Sequence, residues 1–334
     1  MTLSRARFFI SGILVLLLVA VGYVIVRAEF GADAPEKITI ARTGGIPTSF
    51  FWIAEDQGYF ENEGLEVTYL DFDQGRPALD ALREGKADLT ASGELPIVRA
   101  ILQGDAIAII AELESDSGIN IIGRKDRGIN APADLKGKRI GVTKGTVNEF
   151  QLISFLEAHG LTERDVRFVD VVFADAVDAL ISGKVDAVSA RQSAIAQLEQ
   201  QLGERGTPFS TEGIYTFRFL LVGNKSFITE HPETIEKVVR ALVRAEEYAH
   251  EEPEEARQIT ANYMKVEPGV IAKAWDRYRF SISLSQPIFV SLEDEARWIM
   301  EREAVAMKEM PNFLEYMYFD ALETVKPGFV SIPH

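Results

Sequence analysis

An α/β fold built from two similar lobes is what this sequence predicts. Three observations carry the expectation. Short β-rich runs alternate with helical spacing from residue 37 onward, a stretch of about twenty residues recurs further along, and 334 residues give room for two domains of ordinary size. Residues 37–41 (KITIA), 65–70 (LEVTYL), 87–90 (ADLT) and 106–111 (AIAIIA) read as strands. Between them, residues 77–84 place Leu79 and Leu82 at helical spacing. The order recurs from Arg139, where RIGV, DVRFVDV and VDAVS read as strands and residues 149–159 and 174–182 as helices.

The recurrence extends to residue identity. Residues 78–97 (ALDALREGKADLTASGELPI) align without gaps to residues 176–195 (AVDALISGKVDAVSARQSAI) at an offset of 98, and residues 39–45 align to 140–146. Each copy is expected to form a βαβαβ unit. Ligands of open parallel sheets sit beyond the carboxyl ends of the strands, where loops feed helix N-termini. Two such lobes facing each other would enclose a cleft suited to an anionic or strongly hydrogen-bonding solute.

The N-terminus carries the clearest local signal. Arg5 and Arg7 precede an uncharged, largely apolar run over residues 8–26, and Arg27 closes it. Nineteen residues at ~1.5 Å rise approach the ~30 Å hydrocarbon core of a bilayer. The run reads either as an uncleaved transmembrane anchor or as a signal peptide, a buried core helix being the lesser alternative. Both leading readings place the remainder outside the cytoplasm, periplasmic or at the cell surface, since basic residues ahead of a span favour an inside N-terminus.

Composition removes several function classes. The net charge of −16, without a block of Lys and Arg, argues against nucleic acid as a partner. With no cysteine there is no disulfide, thiolate nucleophile, iron–sulfur cluster or lipid-anchoring cysteine. The four histidines stand at 159, 231, 250 and 334, and none has a metal-ligand spacing to another. None of the zinc-protease, nucleophile-elbow or dinucleotide-binding motifs occurs. Neither catalytic residues, nor a metal, nor a cofactor are expected.

Four strand-to-helix loops are candidates to line the cleft. In the first, Gly45 lets backbone approach a solute, Thr48 or Ser49 caps the next helix, and Phe51 follows. The second turns at Ser92, Gly93 and Glu94. The third opens with Gly145 and Thr146, and Glu149 completes a capping-box pattern. The fourth carries Arg191, whose guanidinium could grip a carboxylate, sulfonate or phosphate in a bidentate manner. Two further segments read as crossings between lobes: residues 113–126, with a polar bend containing Ser115 and Asp116, and residues 217–224. Arg218 within the latter needs either a protein partner or a ligand. Beyond Asn224 the chain reads mainly as helix, with Pro232 opening one helix and Ser291 to Asp294 capping another.

Four segments also carry a family resemblance: FFWIAEDQGYFENEGLEVTY, INAPADLKGKRIGVTKGTVNEFQLISFLEAHGL, ITEHPETIEKVVRALVRAEEYA and NFLEYMYFDALETVKPGFV. Over nearly all of residues 36–330 the chain resembles the nitrate/sulfonate/taurine branch of ABC-transporter substrate-binding proteins, which includes binders of thiamine-pyrimidine precursors. The resemblance implies a type II periplasmic-binding-protein fold, with two Rossmann-like lobes joined by two hinge strands. The lobes are expected over residues 36–122 with 221–334 and over residues 123–220, following an N-terminal segment of residues 1–34. It also implies a monomer that closes on a small solute and docks on an ABC permease. The implied contacts fall at residues 45–49, 92–94, 115–117 and 144–146, and at Arg191 and Arg218. Some relatives are thiamine-pathway enzymes that rely on a cysteine-rich motif and a histidine; the absence of cysteine separates this chain from them.

Overall fold

The computed structural model describes residues 34–72, 75–117 and 119–333. The apolar run over residues 8–26 and His334 lie outside them. Among the described residues no helix is long and apolar enough to cross a membrane.

Strands β1 (Glu36–Thr43), β2 (Leu65–Phe72), β3 (Leu89–Gly93) and β4 (Ile107–Asp116) are followed by β5 (Ile119–Arg124), β6 (Arg139–Val142), β7 (Arg167–Asp170), β8 (Ala187–Ser189) and β9 (Gly206–Ser210). The chain then returns through β10 (Phe217–Asn224) and adds β11 (Tyr278–Ser283). These strands form two sheets, ordered β11-β4-β10-β3-β1-β2 and β7-β6-β8-β5-β9. The fold is therefore two-lobed α/β, as the alternating pattern predicts.

The duplication is physical as well as sequential. Both lobes carry the same parallel core, β2-β1-β3 and β7-β6-β8. The repeat spans α2 (Gly75–Arg83) to α3 (Glu94–Leu102) in one lobe and α5 (Ala176–Ile181) to α6 (Gln192–Leu202) in the other. The aspartate shared by both copies does the same task twice. Asp88 Oδ2 accepts from the Thr39 amide at 2.7 Å, and Asp186 Oδ2 accepts from the Arg139 amide at 3.0 Å. Each carboxylate thus ties the start of one strand to the central strand of its own parallel core.

Strand directions decide where the lobes face each other. β10 is antiparallel to both β3 and β4, so β4 runs with β1 and β3 and ends at their carboxyl edge. β5 is antiparallel to β8, so it begins at the carboxyl edge of the second sheet. Only residues 117 and 118 separate the two strands. The second crossing, residues 211–216, joins the same two edges in the opposite direction. The carboxyl edges of both sheets are consequently held against one another at two crossings.

Three local expectations change. The strand expected at 106–111 continues to Asp116, so Ser115 and Asp116 belong to β4 and not to a bend. The C-terminal part is not only helical, because alternation in YRFSIS supplies β11, an edge strand antiparallel to β4. Ser291 does not cap a helix. Pro287, whose fixed φ suits a first helical turn, starts the final long helix earlier, so Ser291 lies inside it. Pro232 does open a helix, Pro232–Glu251, which buries Ile235, Val238, Val239, Leu242 and Val243 against the first lobe.

Candidate functional site

Four loops and two crossings meet along the facing carboxyl edges. In the first lobe, Gly45 opens the turn after β1 with φ 124°, a conformation that disfavours any side chain. The helix α1 (Ser49–Asp56) follows. Thr48 and Ser49 are fully buried and hold this turn from inside: Thr48 Oγ1 donates to the Thr43 carbonyl at 2.5 Å, and Ser49 Oγ donates to the Ile46 carbonyl at 2.5 Å. Phe51 is fully buried within the first-lobe core. At the end of β3, Ser92 is fully buried and its hydroxyl has no hydrogen-bond partner among the described residues. Gly93 has no room for a side chain, since a Cβ there would lie 2.6 Å from the Phe217 ring.

Glu94 belongs to a cluster of acids at this edge. Its Oε1 accepts from the Tyr215 hydroxyl at 2.5 Å and its Oε2 from the Arg218 amide at 2.8 Å. Burial pushes the carboxyl up to about 7 against these hydrogen bonds. Glu295, on the helix α7 (Pro287–Arg302), approaches the same Tyr215 hydroxyl at 3.0 Å. Glu295 lies well above the usual carboxylate range, first through burial and then through the charge of Glu94. Glu114 on β4 is fully buried, and neither carboxylate oxygen has a hydrogen-bond partner among the described residues. Burial drives it far upward, reinforced by Asp116, Glu112 and Glu94. Arg218 is half of an internal pair: Nη1 donates to Glu112 Oε2 at 2.7 Å and Nε to Ser291 Oγ at 3.3 Å. Tyr215, Glu112, Glu114 and Glu295 were not singled out from sequence. The alternation Glu112, Glu114, Asp116 inside an otherwise apolar strand was the available signal.

The second lobe brings a different set. Gly145 is exposed; its amide donates to Glu149 Oε2 at 2.7 Å, and its carbonyl accepts from Arg99 Nη2 at 3.3 Å. Thr146 turns back to the Thr143 carbonyl at 2.6 Å, so the expected capping box does not form. Glu149 caps the loop amide of Gly145 in its place. Arg191 precedes α6, is exposed, and lies over the Phe173 ring at 4.3 Å. Among the described residues its guanidinium has no carboxylate partner. Beside the first crossing, a cleft of about 400 Å³ is lined by Ser115, Ser117, Thr216, Asp276, Arg277, Tyr278 and Arg279. Among the described residues no group of three or more acids and histidines is arranged to hold a metal ion.

The lobes also touch directly. Phe150, from the helix Val147–Ala158 of the second lobe, packs edge-on against Tyr215 at 5.4 Å and Trp298 at 5.7 Å. Arg302 pairs with Glu163, and Arg277 stands 3.8 Å from Glu199.

Comparison with known proteins agrees with this architecture. Residues 46–256 match the family described as NMT1/THI5 like. A Bacillus subtilis (strain 168) protein named for binding aliphatic sulfonates is 26% identical over 228 residues, 66% of this chain and 68% of its own length. The 4-amino-5-hydroxymethyl-2-methylpyrimidine phosphate synthase of Aspergillus parasiticus is 25% identical over 216 residues, 60% of this chain and 63% of its own. Among solved structures, the periplasmic aliphatic sulphonate binding protein SsuA from Escherichia coli superposes with a TM-score of 0.75 at 19% identity, covering 84% of this chain and 97% of that one. The chain therefore belongs to the NMT1/THI5-like family and has the periplasmic-binding-protein fold.

Proposed function

We propose that this chain is an extracytoplasmic solute receptor of an ABC importer, closing its two lobes on a small solute and delivering it to a membrane permease. The observation that carries this reading is the strand direction at both crossings, which sets the carboxyl edges of two duplicated sheets against each other. That geometry gathers helix N-termini from both sides around one cleft, and two short crossings are where a hinge would bend. Arg191, lacking a carboxylate partner among the described residues, supports an anionic group on the solute. Gly45, Thr48, Ser49, Ser92, Gly93, Ser115, Asp116, Gly145 and Thr146 line or support the facing edges in this reading. Residues 8–26 would tether or direct the chain to the membrane.

A second reading, an enzyme on the same scaffold, is supported by the synthases among the relatives, that of Aspergillus parasiticus included. One experiment separates the two. Thermal unfolding of the full-length chain is followed against sulfonates, carboxylates, nitrate, bicarbonate and pyrimidines, with each mixture checked for product. A solute at one hundred times its Kd adds ~2.7 kcal/mol and raises Tm by a few degrees. A saturable rise without product is the receptor's result. Product formation gives the chain to the enzymes, and no rise with any solute removes the receptor reading.

A further inference from the structure

Tyr215 sits in the crossing that returns the chain to β10, with its hydroxyl 2.5 Å from Glu94 Oε1 and 3.0 Å from Glu295 Oε1. A phenol has one proton and donates to one carboxylate only. The second contact is a hydrogen bond only if that carboxyl brings a proton of its own. Glu94 and Glu295 are both 0% exposed, and Tyr215 is 7% exposed. Two bare carboxylates on one hydroxyl in such a place would repel each other and stay undersolvated, so the arrangement holds together with a proton on the pair.

The cover over this pair comes partly from the other lobe. Phe150 packs against the Tyr215 ring and against Trp298, three residues beyond Glu295 on the same helix. The charged groups facing the pair do not neutralise it. Arg218 of β10 is engaged by Glu112, and Arg99 of α3 is engaged by Glu303. On β4, Glu112 is spent on Arg218, and Glu114, itself driven upward by burial beside Asp116, Glu112 and Glu94, supplies no compensating cation. From the second lobe, Gln151 bonds Thr211 and brings no charge.

We propose that lobe closure is proton-linked, with Tyr215 joining Glu94 and Glu295 into a latch that takes up a proton as Phe150 seals it. This rests on the reading of the chain as a hinged receptor. Opening lifts Phe150 and admits water, and a hydrated carboxyl returns toward its ordinary pKa of ~4.3. The closed form then binds more protons than the open form. Acid favours closure, and rising pH favours opening and release.

The chain has no cysteine, so two introduced at the exposed Arg76 and Asp175, one beyond each sheet, carry spin labels without competition. Pulsed electron–electron distance measurements on the labelled full-length chain at pH 5.5, 7 and 8.5 read the closed fraction. The closed-to-open ratio should fall with pH, approaching ~tenfold per unit between the ordinary carboxyl range and the raised one. Glu295→Gln keeps the shape without the charge and should hold the closed distance at all three values. Glu94→Gln should behave alike, and serves if the first variant does not fold. Distances insensitive to pH in the unaltered chain, or a Glu→Gln variant that keeps its pH profile, overturn the latch. A solute that stabilises the chain equally at pH 5.5 and 8.5 also removes the latch while leaving the receptor reading intact.

Discussion

The two lobes share a strand order and a twenty-residue repeat, yet their facing edges differ in charge. At the equivalent turn, the first lobe places Gly93 and Glu94 where the second places Arg191 and Gln192. The first edge buries carboxylates, while the second presents an arginine with no acid beside it among the described residues. Duplication fixed the backbone that aims a loop at the cleft, and divergence of single residues then gave each loop its own chemistry. In the proposed reading, one lobe senses protons and the other holds an anion.

The largest effect that would sharpen this contrast lies in the first lobe. Arg218→Ala leaves Glu112 buried without its partner and should cost ~3–5 kcal/mol of stability, read by urea denaturation. A loss below ~1 kcal/mol would mean that the pair is hydrated and the edge less buried than described. Arg191→Ala should do the reverse, leaving stability unchanged while weakening an anionic solute by ~1.5–3 kcal/mol, more than tenfold in Kd by titration calorimetry. An unchanged Kd would withdraw Arg191 from the cleft.

A smaller effect concerns protons. Glu94 is raised to about 7 when folded, so between its ordinary carboxyl range and pH 7 the native chain binds more protons than the unfolded one. The stability contributed by Glu94 should therefore fall as pH rises through that window, by on the order of 1–3 kcal/mol, and level off above it, while Glu295 and Glu114, raised well above the carboxylate range, carry the decline further. Glu94→Gln should make the slope in this window shallower; a slope equal to that of the unaltered chain would place the titration elsewhere.

The smallest test compares two hydroxyls with matching tasks. Thr48 and Thr146 each bond a carbonyl at the end of the preceding strand, but only Thr48 is fully buried. Thr48→Val should cost ~1 kcal/mol and Thr146→Val about half of that. Equal losses would show that the two loops are equally shielded.

Much of the architecture was legible in the residues. Alternating β-rich and helical spacing set the fold class, because periods of 2 and 3.6 follow from backbone geometry alone. The repeat at residues 78–97 and 176–195 announced the duplication, and the shared aspartate did so because each copy needs one carboxylate to tie its strands together. The loops that meet at the edges were also readable, since glycines and small hydroxyls mark strand-to-helix turns. What those side chains bond to was not. The sequence left Arg218 open between a ligand and a protein partner, and only the pairing of β10 with β4 brings Glu112 within 2.7 Å of it. The same holds for Tyr215, Glu94 and Glu295, which lie as far as 201 positions apart in the chain and share one hydroxyl. Local sequence determines an element because its causes act within a few residues. Contacts between buried charges are decided by tertiary structure, because the groups meet only once strand order and lobe closure have brought distant segments into the same dry volume.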